Sequence, residues 1–219
     1  HFIEDSKLVL SSNRISEAQL GVNNGRRIGN AYINLDLGLQ QGIGAFDAQG
    51  NHDPAPWAPN ARYHKYSATL SYLQSLSLWG ESISFSSLAT EQRSEDVLFS
   101  SQRMSLGGLG SVRGYKDQSL SGDSGGYWRN DLRWSRPVTG SMLRPVLAEY
   151  GVGLGYDLGV IQHDRYNGIQ HGRVSSNSLE LFARGRHLAV GVTFAHSLQR
   201  PDVLREREAP MYFSLSAFL

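Results

Sequence analysis

Residues 122–126 read Gly-Asp-Ser-Gly-Gly, a setting in which a serine hydroxyl could be a nucleophile. Such a hydroxyl needs a general base within hydrogen-bond reach and usually a carboxylate to orient that base. The histidines that precede Ser124 are His1, His52 and His64. His1 is terminal, and His52 lies in GNHDPAPWAPN, a stretch of Gly, Pro and Asn that reads as loop. A five-residue match built largely of glycine is a weak signal, and a glycine-rich loop turning back into a strand is the favoured reading. A second grouping, His163, Asp164 and His171 in IQHDRYNGIQHGRV, offers metal-ligand types, but no regular element fixes their spacing. A hydrated loop is expected there, and likewise for the charge run RPDVLREREAP at 200–210. No catalytic residue, metal site or cofactor is expected, and the chain is read as not an enzyme.

The wider context of Ser124 agrees. In chymotrypsin-like proteases the histidine follows Ala-Ala and precedes Cys, and this chain has no such stretch and no cysteine at all. The lack of cysteine also excludes a disulfide framework and thiolate metal ligation. Twenty-one basic against 20 acidic residues give a net charge of +1, so no nucleic-acid partner is indicated. Twenty-four glycines, ten tyrosines and four tryptophans lean towards strands joined by tight turns.

The elements that must carry these residues repeat with period two. In NAYINLDLGLQ, Ile33, Leu35, Leu37 and Leu39 share one face, and Asn34, Asp36 and Gln40 the other. The same alternation sets Leu20 and Val22 against Gln19 and Asn23, and Trp128, Leu132 and Trp134 against Arg129, Asp131 and Arg133. Roughly ten such segments of ~8–12 residues are present, the length a tilted strand needs to cross a bilayer. Helical periodicity is absent, so the fold class is all-β. Tight turns at Ser11–Arg14, Trp79–Gly80 and Arg184–His187 contrast with long loops at 42–63, 92–125 and 160–176. That asymmetry, with acids and arginines along one face, favours an antiparallel transmembrane β-barrel over a soluble sandwich. No apolar run reaches the length of a membrane helix, and HFIEDSKLVL has neither a basic n-region nor an apolar core, so the chain is expected to begin mid-structure.

Read more widely, the glycine-rich stretch has a second identity. SVRGY at 111–115, followed by LSGDSGGYWRNDL at 120–132, resembles the signature of the two-partner-secretion outer-membrane transporters, the TpsB family. Its Val-Arg-Gly-Tyr is Val112, Arg113, Gly114 and Tyr115; the Leu-x-Gly-Asp-x-Gly element supplies Gly122, Asp123 and Gly125; the Arg-Asn-Asp-Leu strand supplies Arg129 and Asp131. The resemblance implies a barrel of about sixteen strands, of which this chain is the C-terminal part, preceded by further strands and periplasmic POTRA domains. It implies that residues 92–125 fold into the lumen, and that Arg113 meets an acid on a later strand within a Phe-x-Asp-x-Gly motif. Five strands are read after the motif, near 126–136, 143–157, 178–184, 187–197 and 210–219. In strand 143–157 the sequence departs from that motif: Glu149 and Gly151 stand in its place, and Asp157 is the alternative acid, with Glu149 preferred. Glu149, Gly151, Gly153, Gly155 and Asp157 share one parity, and the glycine file leaves room for a loop to pack against the wall.

The final strand, MYFSLSAFL, alternates Met211, Phe213 and Leu215 towards lipid with Tyr212 and Ser214 inward, and Trp128 and Trp134 are read as interface aromatics or lipid-facing bulk. The resemblance implies an outer-membrane pore in a Gram-negative bacterium. The pore would export a large partner protein: an adhesin, a haemolysin or a contact-dependent inhibition toxin. Membrane lipid and, during biogenesis, the barrel-assembly machinery are further expected partners. An assembly insertase of the same superfamily is the alternative, and a serine hydrolase at Ser124 a distant one.

Overall fold

The structure, a computed structural model, describes residues 2–3, 6–7, 15–44, 57–139, 146–163 and 168–218. The tight turn expected at Ser11–Arg14, and Asp164, lie outside them. Two short strands, β1 (Phe2–Ile3) and β2 (Ser6–Lys7), pair near the start. The body is one sheet of nine strands: β3 (Ser16–Ile28), β4 (Ala31–Ile43), β5 (His64–Leu78), β6 (Glu81–Arg93), β9 (Gly125–Pro137), β10 (Glu149–Ile161), β11 (Gly172–Arg184), β12 (Leu188–Gln199) and β13 (Met211–Ala217). Every neighbouring pair is antiparallel and follows chain order. Between β6 and β9 the chain makes a separate hairpin, β7 (Met104–Leu106) with β8 (Leu120–Gly122). Among the described residues the sheet does not close, and β3 and β13 are its edges.

Turn chemistry sorts the connections into two ends. At one end β3 and β4 join through Gly29 and Asn30, and β5 and β6 through Trp79 and Gly80, both with positive φ (52° and 79°). Two left-handed residues match the twist of a two-residue hairpin. The connection 185–187 is also short, whereas 138–148 is longer. At the other end lie the connections 44–63, 94–124, 162–171 and 200–210.

Cross-strand register carries the period-two pattern intact across the sheet. Leu20, Leu39 and Tyr66 are successive partners on one face, as are Phe85, Leu132, Leu154 and Leu179. That face is apolar yet open: Leu20 is 69% exposed, Phe213 71% and Leu215 73%. In a water-soluble sandwich such a face would be covered by a second sheet, and a continuous apolar surface this wide marks contact with a partner or membrane. Buried hydrophobic packing lies instead on the polar face, where Met104, Leu106, Val112, Tyr115, Leu120, Ile161, Val174 and Leu204 form one cluster. No helix among the described residues is long and apolar enough to cross a membrane, which says nothing about strands.

Two boundaries differ from the sequence reading. The strand read as 143–157 begins its ladder at Glu149, opposite Pro137, and runs on to Ile161; just before it the Val138 N–H donates to Ala148 O at 2.9 Å and the Ala148 N–H to Arg184 O at 2.7 Å. The strand read as 178–184 begins at Gly172. Its first half buries Ser175, Ser176 and Ser178 with Val174 as the one buried hydrophobic among them, so it gives no apolar alternation.

Candidate functional site

The connection 94–124 lies against the polar face of the sheet. A 3-10 turn at Ser100–Gln102 leads into β7, and the β7–β8 hairpin holds the tip segment between its arms. Gly107 and Gly108 turn the chain there, Gly108 with φ 77°. Val112 and Tyr115 are fully buried in the hydrophobic cluster, each contributing about 1.5–3 kcal/mol by leaving water. This sets the height of the tip on the wall and places Arg113 between them over β9, β10 and β11.

Arg113 grips two carboxylates. Its Nε donates to Asp157 Oδ2 at 2.9 Å and its Nη2 to Asp157 Oδ1 at 2.5 Å, a two-pronged fork. Nη1 donates to Asp131 Oδ1 at 2.5 Å, and the Arg113 backbone N–H donates to Asp157 Oδ2 at 2.9 Å. Ser176 Oγ completes the Asp157 shell at 3.0 Å. Asp157 is wholly buried and Arg113 is 6% exposed. Burial alone would weaken the guanidinium's hold on its proton; Asp157 and then Asp131 outweigh it and raise its pKa above the ordinary value. Arg129 stands behind, its Nη1 donating to Leu109 O at 2.7 Å and its Nε 3.8 Å from Asp157 Oδ1. Two arginines thus meet two aspartates across a loop–wall contact, and only a planar fork satisfies both acids at once.

Glycine makes the close approach feasible. A Cβ on Gly159 would meet Leu106 Cδ1 at 2.8 Å and Val112 Cγ2 at 2.9 Å, and one on Gly155 would meet the Arg113 Cζ at 2.8 Å. On the loop side, a Cβ on Gly114 would sit 2.9 Å from both N and Cα of Ser197. At Gly114 the obstacle is backbone, which cannot swing aside; at Gly159 and Gly155 it is the loop's own buried side chains, so a Cβ at any of the three would press loop and wall apart.

Glu149, preferred from the sequence as the acid for Arg113, is not its partner here. It starts β10 opposite Pro137 and Arg184, at the end of the strand away from the tip, and borders a polar space with Arg133, Glu180 and Phe182. Gly151 faces Phe182 rather than the loop, its missing Cβ 2.5 Å from the ring's Cζ. Both acids have the right parity; Asp157 has the right height.

The residues of the pentapeptide anchor the foot of the loop. Ser124 Oγ accepts from the Ser94 N–H at 3.0 Å and donates to Ser94 O at 2.9 Å. Asp123 Oδ1 accepts from the Leu98 N–H at 3.1 Å and from Arg103 Nε at 2.9 Å. Gly125 opens β9 where a Cβ would lie 2.5 Å from Val160 O. Ser124 is 7% exposed, and no imidazole bonds to it among the described residues. It is a staple at the loop base. His163 and His171 meet ring to ring at 4.8 Å, and the described residues hold no cluster of three or more His, Cys, Asp or Glu suited to a metal. Trp128 is 48% exposed on the apolar face with Nε1 donating to Ser87 Oγ at 2.7 Å; Trp134 donates to Glu81.

Sequence reasoning missed Ser176, Tyr212 and the segment after β12. Tyr212 OH donates to Arg113 O at 2.9 Å, and Tyr115 OH donates to Gln199 O at 2.5 Å. Inward parity pointed Tyr212 to this face, but nothing in the sequence gave the height.

The family model described as "Haemolysin secretion/activation protein ShlB/FhaC/HecB" matches residues 1–183. The "Outer membrane transporter CdiB" of Dickeya dadantii (strain 3937) is 30% identical over 145 residues, covering 65% of this chain and 25% of that protein. The "Hemolysin transporter protein HpmB" of Proteus mirabilis is 28% identical over 187 residues, covering 83% of this chain and 31% of that protein. The solved structure of CdiB from Escherichia coli superposes with a TM-score of 0.85 at 26% identity over 98% of this chain and 39% of its own. CdiB from Acinetobacter baumannii, at 19% identity and TM-score 0.78, shares the fold over 99% of this chain and 36% of its own. The chain therefore spans about a quarter to two fifths of the length of these relatives.

Proposed function

This chain belongs to the haemolysin secretion/activation family ShlB/FhaC/HecB, and from that premise we propose that it forms the C-terminal wall of a pore that carries a large exoprotein to the cell surface. Its relatives are named outer membrane and hemolysin transporters, and the outer membrane of a Gram-negative bacterium is its location. The apolar face of the sheet meets lipid, and the polar face lines the passage. The segment 94–124 rests inside that passage as a plug-like loop. The cargo is a partner protein of the adhesin, haemolysin or contact-dependent inhibition toxin type, and the barrel-assembly machinery inserts the wall during biogenesis.

One observation carries the reading: a long loop is held on the polar face by Arg113 forked onto Asp157 and reaching Asp131, with its flanking residues buried. A loop so placed governs whether the passage is open. Translocation needs no bound nucleotide in this scheme. The test is secretion of candidate partner proteins by cells carrying the full-length gene, wild type against Arg113→Ala. Loss of secretion with the barrel still heat-modifiable in the outer membrane is expected. Undiminished secretion would remove the loop from the mechanism.

A further inference from the structure

The tip of the 94–124 loop has a second set of contacts besides those of Arg113. They come from the connection 200–210 between β12 and β13, a run of charges that the sequence presents as a hydrated loop. It is folded over the tip instead. Leu204 is 4% exposed and belongs to the same hydrophobic cluster as Tyr115. The Glu208 carboxylate accepts from three successive backbone N–H groups: Lys116 at 2.6 Å and Asp117 at 3.0 Å on Oε2, and Gln118 at 3.1 Å on Oε1. Gln118 Nε2 adds a fourth bond to Oε1 at 2.9 Å. Gln118 also reaches Glu206 O at 3.2 Å and accepts from the Arg205 N–H at 2.7 Å. Consecutive N–H groups converging on one anion form a nest, a geometry selective for a carboxylate of fixed position.

We propose that Glu208 is a positioning residue for the transporter's lumenal loop. It acts as the pin of a clasp by which the connection 200–210 grips Lys116–Gln118, a contact separate from the Asp157 fork. The inference rests on the transporter reading for its consequence and on the geometry alone for its existence. Glu208 is itself fixed to β12: its N–H donates to Ser197 Oγ at 2.8 Å, and its carbonyl accepts from the Ser197 N–H at 2.9 Å. Ser197 is fully buried and is the residue against which Gly114 packs. Tyr212 on β13 holds Arg113 O. The tip is therefore tied to β10 through Arg113, to β12 through Tyr115 and Glu208, and to β13, an edge strand among the described residues, through Tyr212. Withdrawing the loop from the passage breaks the clasp and releases the last connection and the terminal strand together.

The clasp has a sign with respect to pH. Burial would raise the Glu208 carboxyl, but the N–H groups of Lys116, Asp117 and Gln118 outweigh it and hold its pKa below the ordinary value. The clasp is thus intact above the ordinary carboxylate pKa and is lost as pH falls through the depressed one. The charged and titratable groups around it are Tyr115, Lys116 and Asp117 on the tip, Arg200, Arg205, Glu206 and Arg207 on its own connection, and Tyr212 on β13.

The test uses spin labels at Ser119→Cys and Asp202→Cys in a cysteine-free full-length gene product in lipid vesicles. The label-to-label distance is followed from about pH 7 downward to below the ordinary glutamate value of about 4.3, with the broadening of wild type expected below that value. Wild type gives one narrow distance at neutral pH that broadens on acidification. Glu208→Gln gives the broad distribution throughout, and Glu208→Asp retains a pH response. A neutral-pH distribution of Glu208→Gln equal to wild type, or a pH response that survives the substitution unchanged, overturns the clasp. If Glu208→Gln does not reach the membrane, Gln118→Ala deletes the fourth bond and both flanking contacts but leaves Glu208 its three backbone donors; it broadens the neutral-pH distribution and keeps a pH response, and a neutral-pH distribution equal to wild type overturns the clasp. No secretion enters this measurement, so its failure is distinct from failure of the transport reading.

Discussion

Replacing Asp157 by Asn keeps the side chain's size and removes its charge, which isolates the fork. In the native arrangement Asp157 accepts three hydrogen bonds from Arg113 and one from Ser176 while wholly buried. Solvated ion pairs contribute about 0–1 kcal/mol, but removing one partner of a buried pair costs about 3–5 kcal/mol because the remaining charge is stranded. Asp131 still faces Nη1 and is partly exposed, so the low end applies, about 3 kcal/mol. At 1.4 kcal/mol per tenfold, the ratio of docked to undocked loop falls about a hundredfold. The assay is the initial rate of trypsin cleavage after Lys116 in membranes carrying the full-length protein. Cleavage requires that backbone to leave its bonds, so the rate follows the open population when reclosing is fast. A rise of about a hundredfold is expected for Asp157→Asn, with none for Asp202→Asn. A rate within about twofold of wild type would refute the claim that the fork holds the loop.

Other outcomes follow from the same contacts. Gly114→Ala places a methyl against the Ser197 backbone and should raise the cleavage rate by a similar factor, while Gly110→Ala, which meets nothing within 4 Å, should not. Arg113→Lys should not restore secretion lost in Arg113→Ala, since an ammonium cannot bridge Asp157 and Asp131 in the fork's plane; full rescue would show that charge alone suffices. Ser124→Ala should lower the loop's stability by about 1–3 kcal/mol through the two Ser94 bonds it deletes, measured by the same proteolysis. A serine-reactive phosphonate should not label Ser124 in the wild type, and labelling would reopen the nucleophile reading.

Much of the wall was legible because a sheet with one apolar and one polar face writes its parity into the sequence. Leu35, Leu37 and Leu39 are exposed on one face of β4, and Asn34 and Asp36 lie on the other. The signal fails where the polar face is dry. Ser176 and Ser178 are buried under the loop, and small polar residues chosen for closeness look like loop residues in a sequence. Parity also cannot give height. Glu149 and Asp157 face the same way, and only the register that sets Asp157 between Arg129 and Ser176 puts it under Arg113. The Gly-Asp-Ser-Gly-Gly stretch shows the converse. Its residue types suggested chemistry, whereas each polar group is engaged in fixing the loop's foot. Glu208 was hidden for a third reason: a carboxylate in a run of arginines reads as solvated until its partners, backbone N–H groups distant in sequence, are known.

The latch itself is tested most directly by a double-mutant cycle on secretion, comparing Arg113→Ala, Asp157→Ala and the pair in the full-length gene. If the two residues act as one contact, the double variant secretes no worse than the poorer single variant, and the coupling is large. If the two losses simply multiply, Arg113 and Asp157 act independently in transport, and the account of a loop governed by their pairing is wrong.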